Sequence, residues 1–257
     1  MTIGCILGVL DMDPIIEYWD ASKTKTIKKS DGTNVSLNGD LIYTWQSSNG
    51  KRKFANIVTV TTELATYNTS TEWPALSMSY TAYQMSQSGP LFENGETVFM
   101  VFRLTSGTNS TGFCKINSST TTANVGYSLG WGTTAYNGMI LTSGGYIFRI
   151  VVNETETGFN GPMGNVGTLP YLTVLGLRIF QSGTNTLFWT IGNNGTVYTG
   201  LAACLWTAKM SNRNAFFQLM AINSNKYNCY YLEINRSITT TAQMLARRNV
   251  LYNLYAT

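Results

Sequence analysis

Residues 226–255 read KYNCYYLEINRSITTTAQMLARRNVLYNLY, and this stretch decides the predicted fold because it joins a strand to a capped helix. Residues 229–234 are rich in aromatic and branched side chains and can alternate between two faces, as a β-strand does. The alternation places Tyr230, Leu232 and Ile234 on one face, and Cys229, Tyr231 and Glu233 on the other.

The segment that follows this strand predicts an α-helix. Thr240 supplies an N-cap hydroxyl, and Gln243 three residues later completes the spacing of a capping box. One face of the helix carries an apolar stripe, which consists of Met244, Leu245, Leu251, Tyr252 and Tyr255. Arg247 and Asn249 lie off this stripe, and Arg248 interrupts it, so we expect the charged end of Arg248 to extend to solvent. The stripe should pack against a sheet and close an all-β domain.

Short motifs near both ends of the chain resemble those of one protein family. The predicted strand runs into Asn235, Arg236, Ile238 and Thr239, which match the pattern N-R-x-[IL]-[ST] before a short helix. Near the start, residues 19–22 read WDAS between an apolar segment and a polar turn. Both motifs resemble the laminin G-like branch of the concanavalin A-like lectin/glucanase superfamily.

Three further motifs of that branch occur in order between these two. A turn written D-x-S-G-N-G-x-x-x-x-A is matched by Ser47, Asn49, Gly50 and Ala55, with Trp45 and Ser48 in place of its Asp and first Gly. Residues 74–78 resemble a P-A-L-x-F strand with Met78 for Phe, and residues 96–104 resemble a T-V-F-x-V-x-K strand with Arg103 for Lys. The resemblance implies an antiparallel β-sandwich of the jelly-roll type.

Local patterns predict the elements of the second half of the chain. We expect strands at residues 125–131 and 146–152, a hairpin of residues 172–181 and 185–191, and a penultimate strand at residues 215–223. Residues 153–167 contain four Gly and one Pro, which predicts a surface loop.

The composition indicates one globular domain. Residues 14–257 form the predicted sandwich, and residues 1–13 are either its first strand or an attachment arm. Charged residues make up only 12% of the chain, about half the usual share, and Ser, Thr, Asn and Gly replace them, as on extracellular and virion proteins. The basic residues of the C-terminal third are scattered, so we predict no nucleic-acid partner. The apolar run at the N-terminus is too short for a membrane span.

The residue types exclude most catalytic arrangements. No histidine is present, which rules out Ser-His-Asp and Cys-His pairs. Glu154 and Glu156 come closest to the two carboxylates of a glycosidase, but they lie in the predicted Gly-rich loop. Asp11 and Asp13 are explained by a turn more simply than by an ion site, and the cysteines contain no C-x-x-C pair. We therefore predict no enzyme activity, no metal and no cofactor.

Recognition of a ligand remains as the predicted activity. A sugar site needs an aromatic ring for the apolar face of the sugar and amides or hydroxyls for its OH groups. Trp131, Tyr136 and Asn137, within the Gly-flanked sequence LGWGTTAYNGM, meet this demand and are the predicted ligand-binding residues.

The expected function is that of a non-enzymatic structural or recognition module of a virus or phage particle. Such a protein is made in the host cytoplasm and displayed on the virion surface as a capsid decoration or fibre head. Its expected partners are capsid or tail proteins of the same particle and host-surface glycans, and the sequence leaves open whether it forms a homo-oligomer. The alternatives are a soluble lectin of a cellular organism and a degenerate glycosidase.

Overall fold

A computed structural model of the chain describes residues 16–56, 64–85, 95–106, 114–117, 126–128, 139–142, 145–152, 155–162, 171–193, 195–202 and 216–256. The predicted arm at residues 1–13 and the predicted site residues Trp131, Tyr136 and Asn137 lie outside these ranges. The described part of the chain contains sixteen strands, a single 3-10 turn and one α-helix, which we number in chain order.

The strands are β1 (Ile16–Asp20), β2 (Ile27–Lys28), β3 (Thr44–Gln46), β4 (Lys53–Asn56), β5 (Thr66–Asn68), β6 (Ala75–Met85), β7 (Thr97–Ser106), β8 (Cys114–Asn117), β9 (Gly126–Ser128), β10 (Met139–Thr142), β11 (Gly145–Val152), β12 (Thr155–Pro162), β13 (Tyr171–Ser182), β14 (Asn185–Ile191), β15 (Val197–Ala202) and β16 (Phe216–Asn235). The 3-10 turn is Thr24–Thr26, and the helix, α1, is Thr241–Tyr255.

The architecture is all-β and antiparallel with one C-terminal helix, as the sequence predicts. Twelve strands form one sheet in the order β15-β14-β13-β7-β16-β6-β4-β3-β2, with β1 and β8 paired to β16 and β5 paired to β6. Strands β9 to β12 form a second, four-stranded sheet. The predicted hairpin of β13 and β14 is confirmed, whereas the predicted loop at residues 153–167 is wrong, because its residues Thr155–Pro162 pair with β11 as strand β12.

Strand β16 lies at the centre of the large sheet. One edge of β16 pairs with β6 and then β1, and the other edge pairs with β8 and then β7. The two strands predicted at residues 215–223 and 229–234 are therefore one continuous element of 20 residues. The register between β16 and β6 shifts between Ala221 and Lys226, close to the gap between the two predicted strands.

A β-bulge at Tyr230 changes which side chains share a face. The register with β7 shifts between Cys229 and Tyr231, and the extra residue of a bulge moves the following side chains to the opposite side. Cys229 therefore lies in one core cluster with Leu232 and Ile234, whereas Tyr230 and Tyr231 lie in the other. The predicted alternation of faces is wrong at Cys229 and Tyr230 for this reason.

The larger core cluster occupies the face of the sheet that we call the inner face. It is built around completely buried aromatic side chains, among them Trp19, Trp45, Phe54 and Phe102. The rings of Trp19 and Phe54 are 5.2 Å apart, and the indole N–H of Trp19 donates to the carbonyl oxygen of Trp45 at 3.1 Å. Each such ring removes a large apolar area from water, so this cluster is the main source of stability.

The second core cluster lies on the opposite, outer face, where α1 covers it. Thr240 and Gln243 form the predicted capping box, and Met244, Leu251 and Tyr255 are buried against Val101, Val174 and Tyr230, among others. Leu245 and Tyr252, which were predicted to belong to the stripe, are only partly buried. The apolar face of α1 is thus narrower than the sequence predicts, because two arginines occupy part of the contact.

These two arginines attach α1 to the sheet. Arg247, predicted to lie off the stripe, donates from Nε to Oε1 of the completely buried Glu233 at 2.8 Å and also pairs with Oε2. Arg248 does not extend to solvent as predicted, because its Nε and Nη2 donate to the carbonyl oxygens of Gly192 and Asn193 at 3.1 and 2.7 Å. Both predictions are wrong because hydrogen-bond acceptors lie beneath the helix. These acceptors allow the two guanidinium groups to pack against the sheet instead of extending to solvent.

The motif residues occupy structural positions. The carboxylate of Asp20 accepts from the backbone N–H of Ser22 at 2.8 Å, and Ala21 is completely buried. The Ser47 hydroxyl donates to Asn49 Oδ1 at 2.9 Å and accepts from the backbone N–H of Arg52 at 3.1 Å. These contacts form local turns, so the motifs account for the fold rather than for a ligand.

Candidate binding surface

Three described glutamates form ion pairs with arginines. Glu17 pairs with Arg52 at 3.1 Å, Glu96 pairs with Arg236 at 3.3 Å, and Glu233 pairs with Arg247. Within the described ranges, no group of three or more Cys, Asp and Glu side chains could hold a metal ion. The same part of the chain has no helix with the length and apolarity needed to cross a bilayer.

The register of the large sheet places an unusual set of side chains on its outer face. Across five neighbouring strands, one row of directly paired residues runs Asn235, Thr97, Arg178, Trp189 and Thr199. The next row contains Phe180, Leu187 and Leu201. Since directly paired residues point to the same side of a sheet, these side chains form one surface.

We call part of this surface the aromatic platform, defined by Arg178, Phe180, Leu187, Trp189, Thr199 and Leu201. The neighbouring residues Val174 and Ile191 are buried with α1, and Trp189 packs against the same cluster but stays partly exposed. Phe180, Leu187 and Trp189 are half-buried, Thr199 is exposed, and Leu201 is 57% exposed. Exposed apolar side chains grouped in this way are typical of interaction sites.

Arg178 is held at the centre of the platform by two rings and one carbonyl. Its guanidinium carbon lies 4.4 Å from the Phe180 ring centroid and 4.6 Å from that of Trp189. The two rings are 4.9 Å apart and nearly perpendicular. Nε of Arg178 donates to the carbonyl oxygen of Gly95 at 2.9 Å. Cation–π contacts and this hydrogen bond fix the orientation of the guanidinium group.

Gly95 makes room for this arrangement. It adopts φ +73°, and a Cβ atom at this position would lie 3.1 Å from both Nη2 of Arg178 and Cβ of Phe180. Another residue would therefore be strained by the backbone conformation and would also press on the guanidinium group. The glycine is required for the close approach of Arg178 to the backbone.

The hydrogen-bond partners and the electrostatic surroundings of Arg178 differ from those of Arg247 and Arg248, the two arginines of α1. Burial lowers the pKa of the Arg178 guanidinium, and no carboxylate of the described ranges opposes the effect. Burial is also the largest effect on the pKa of Arg247, but the hydrogen bonds and the charge of Glu233 outweigh it and raise that pKa. Arg248 uses all three nitrogens as donors, to two carbonyls and to Asn249. Arg178 alone among these keeps donors without a described acceptor.

A cluster of polar side chains also lies on the outer face, where β5, β6 and β16 meet. Asn68 Nδ2 donates to Ser77 Oγ at 3.1 Å, and Ser77 Oγ donates to Asn228 Oδ1 at 2.6 Å. Burial raises the pKa of the Tyr230 hydroxyl, and hydrogen bonds from Arg103 and Asn228 partly offset this rise. These groups satisfy one another, so the cluster is a structural network that joins β5, β6, β16 and β7.

Sequence reasoning missed the platform, although one signal for it was available. The predicted hairpin of residues 172–181 and 185–191, read with a tight turn at Gly183, pairs Arg178 with Trp189. A charged residue beside a tryptophan on one face of an apolar hairpin is unusual for a core position. The predicted residues Trp131, Tyr136 and Asn137 lie outside the described ranges, so their role stays a prediction.

Comparison with known proteins gives the fold but no family. No family model matches the chain, and neither does any curated protein sequence. Among solved structures, an arabinofuranosidase complexed with arabinofuranosyl-alpha-1,2-xylobiose shares 11% identity over 93% of this chain and 59% of its own, with a TM-score of 0.54. The binding domain of botulinum neurotoxin DC in complex with SialylT shares 11% identity over 88% of this chain and 50% of its own, with a TM-score of 0.51. The chain thus spans about half to three-fifths of these structures, and at this identity the likeness shows a β-sandwich fold alone.

Proposed function

We propose that this protein is a non-enzymatic carbohydrate-recognition module and that the aromatic platform is its binding surface. The observation that carries the proposal is the partly exposed Trp189 beside a guanidinium group fixed in position by Phe180 and Gly95. An aromatic ring packs against the apolar face of a pyranose, and fixed polar donors bond its hydroxyl groups. The exposed hydroxyl of Thr199, paired with Trp189 across the strands, adds a polar group at the rim.

The comparisons support this proposal at the level of the fold. Two of the structures that share the fold were solved with a bound saccharide or with a molecule designated SialylT. A β-sandwich is therefore a suitable scaffold for sugar recognition, although the positions of the ligands in those proteins are not transferred to this chain.

The carboxylates favour binding over hydrolysis. A glycosidase needs one protonated and one ionised carboxyl group on opposite sides of the scissile bond. Glu17, Glu96 and Glu233 are each paired with an arginine in a structural contact, and no two of these glutamates are described as facing each other across a cleft. We therefore propose that the protein lacks glycosidase activity, with a degenerate glycosidase as the weaker alternative.

We further propose that this recognition module is laminin G-like and is displayed on a virus or phage particle. The low share of charged residues and the abundance of Ser, Thr and Asn support it, as do the motifs that resemble that branch. Capsid or tail proteins would be its partners in the particle, and glycans its partners on the host surface. A soluble lectin of a cellular organism is the second candidate, and localisation of the protein in purified particles separates the two.

Binding of the purified protein to an array of neutral, carboxylated and sulfated glycans tests the main proposal. We expect the Trp189→Ala variant to lose at least about tenfold in affinity for any bound glycan, since aromatic contacts dominate such sites. Tyr43→Ala is the matched control, because Tyr43 is an aromatic residue that is 46% exposed and lies outside the platform. Thermal midpoints of both variants verify the fold. Absence of glycan binding, or equal loss in both variants, would contradict the proposal.

A further inference from the structure

The feature that carries a further inference is the nearly buried charge of Arg178. Arg178 is only 9% exposed, and in the described part of the chain no carboxylate lies within ion-pair distance of it. Its one described hydrogen bond runs from Nε to the Gly95 carbonyl. Both terminal nitrogens therefore have no acceptor among the described residues, and they keep some contact with solvent. Burial of a charged group is costly unless the charge is paired.

The acidic residue next to Gly95 does not supply this partner. Glu96 follows Gly95 directly, but its carboxylate pairs with Arg236 at 3.3 Å. Burial lowers the pKa of Arg178, and no described charge opposes this effect, which agrees with the geometry. The positive charge at the centre of the platform is therefore not neutralised by the described residues.

The geometry of the guanidinium group indicates the shape of the missing partner. Nε is used by Gly95, and the guanidinium carbon lies against both rings, whose centroids are themselves only 4.9 Å apart. The two terminal nitrogens therefore present a fork. A carboxylate accepts two parallel hydrogen bonds from such a fork, and these charge-assisted bonds are among the stronger ones in proteins. The guanidinium group covers part of the Trp189 ring, and the exposed remainder of that ring, beside the fork, is the surface we assign to a sugar ring.

We propose that Arg178 binds the carboxylate of an acidic sugar residue, of the uronic or sialic acid class, whose ring packs against Trp189. This inference rests on the proposed function, because it names the class of glycan that the platform recognises. The carboxylate neutralises the buried charge, and the aromatic surface excludes water from the ion pair, which strengthens it.

The decisive experiment uses the unaltered protein with matched ligands. Binding is measured by calorimetry to an oligogalacturonate and to a sialyllactose, each compared with its carboxyl-reduced form. We expect at least one acidic form to bind about 10- to 100-fold more tightly than its reduced form, since a hydrogen bond to a charged group contributes about that much. The two ligands separate a uronic from a sialic acid as the source of the carboxylate.

Variants identify the residue responsible. Arg178→Gln should lose the preference for the acidic form and bind both forms with similar affinity, whereas Arg178→Lys should keep part of the preference, because it retains the charge but not the fork. Lys51→Gln is the control for loss of one positive charge, since Lys51 is exposed and lies in the turn between β3 and β4. The preference of the unaltered protein should weaken as salt rises from about 0.05 to about 0.5 M.

The outcomes separate this inference from the proposed function. Equal binding of acidic and reduced glycans, with loss in Trp189→Ala, would overturn the role of Arg178 and leave sugar recognition intact. Binding of no glycan would overturn both. If Arg178→Gln does not fold, the comparison of acidic and reduced ligands on the unaltered protein still decides the question. Preference for sulfated over carboxylated glycans would also contradict the assignment.

Discussion

Substitution of Glu233 by Gln should be among the most destabilising conservative changes in this protein. The Glu233 side chain is completely buried and accepts hydrogen bonds from Arg247 and from the Tyr231 hydroxyl, the latter at 2.9 Å. Gln keeps the shape but removes the negative charge, so the guanidinium group of Arg247, which is 13% exposed, loses its counterion. Breaking a buried pair in this way costs about 3–5 kcal/mol.

The assay is denaturation in urea followed by tryptophan fluorescence, because Trp19 and Trp45 are completely buried and report on the inner core. Glu96→Gln is the matched control, since its partner Arg236 is 50% exposed and regains water when the pair is broken. Because the Glu96 side chain is itself only 4% exposed, the control should still lose stability, but less than Glu233→Gln, since its arginine is not left buried. A double variant, Glu233→Gln with Arg247→Met, should recover much of the loss, because no unpaired charge remains. If Glu233→Gln loses no more stability than Glu96→Gln, the proposed attachment of α1 is wrong.

Three other predictions concern single residues. Gly176→Ala should lower the free energy of unfolding by about 1–3 kcal/mol, because a Cβ atom would lie 2.6 Å from Phe99 Cε1 and 2.7 Å from Ile191 Cγ2; an unchanged urea midpoint would contradict this. Thr240→Ala should cost about 1 kcal/mol by removing the capping box, while Thr239→Ser leaves it in place as the control. Burial raises the pKa of the Cys229 thiol to about 12, so Cys229 should resist alkylation in the folded protein and react in urea, as peptide mass mapping would show. Because the folded pKa exceeds the unfolded one, Cys229 should favour the folded state fully below about pH 8.5 and lose that contribution as the pH rises towards 12.

The elements of the fold could be predicted where one local pattern dominates. The capping box at Thr240 and Gln243 depends on two side chains three residues apart, and both behave as their spacing predicts. The hairpin of β13 and β14 is similarly local. The faces of β16 could not be predicted, because the bulge at Tyr230 arises from pairing with β7, which is distant in the sequence. One inserted residue is enough to move a side chain to the other face.

The difference between local patterns and contacts distant in the sequence also explains the charged residues of α1. A helical stripe considered alone places Arg247 outside the contact and sends Arg248 to solvent. The acceptors that bury both groups, Glu233 and the carbonyls of Gly192 and Asn193, come from other strands and turns. The composition of one helix contains no information on them. Strand β12 was missed for a similar reason, since pairing with β11 stabilises a Gly-containing segment that has low strand propensity on its own.

The motifs that resemble the laminin G-like branch and the surface proposed to bind ligand occupy different parts of the molecule. Asp20, Ser47 and Asn235 use their side chains to form turns, so these polar groups are already hydrogen-bonded within the fold. Arg178 and Trp189 lie in a hairpin that no motif marks, and there the guanidinium group keeps donors that have no acceptor in the described part of the chain. Stability and recognition should therefore be separable: Glu233→Gln is expected to weaken the fold without altering the ligand preference of the folded fraction. Arg178→Gln is expected to alter the ligand preference without weakening the fold. A resemblance based on turn and core residues can consequently transfer the fold between proteins while leaving the ligand to be set by the outer face of β13 to β15.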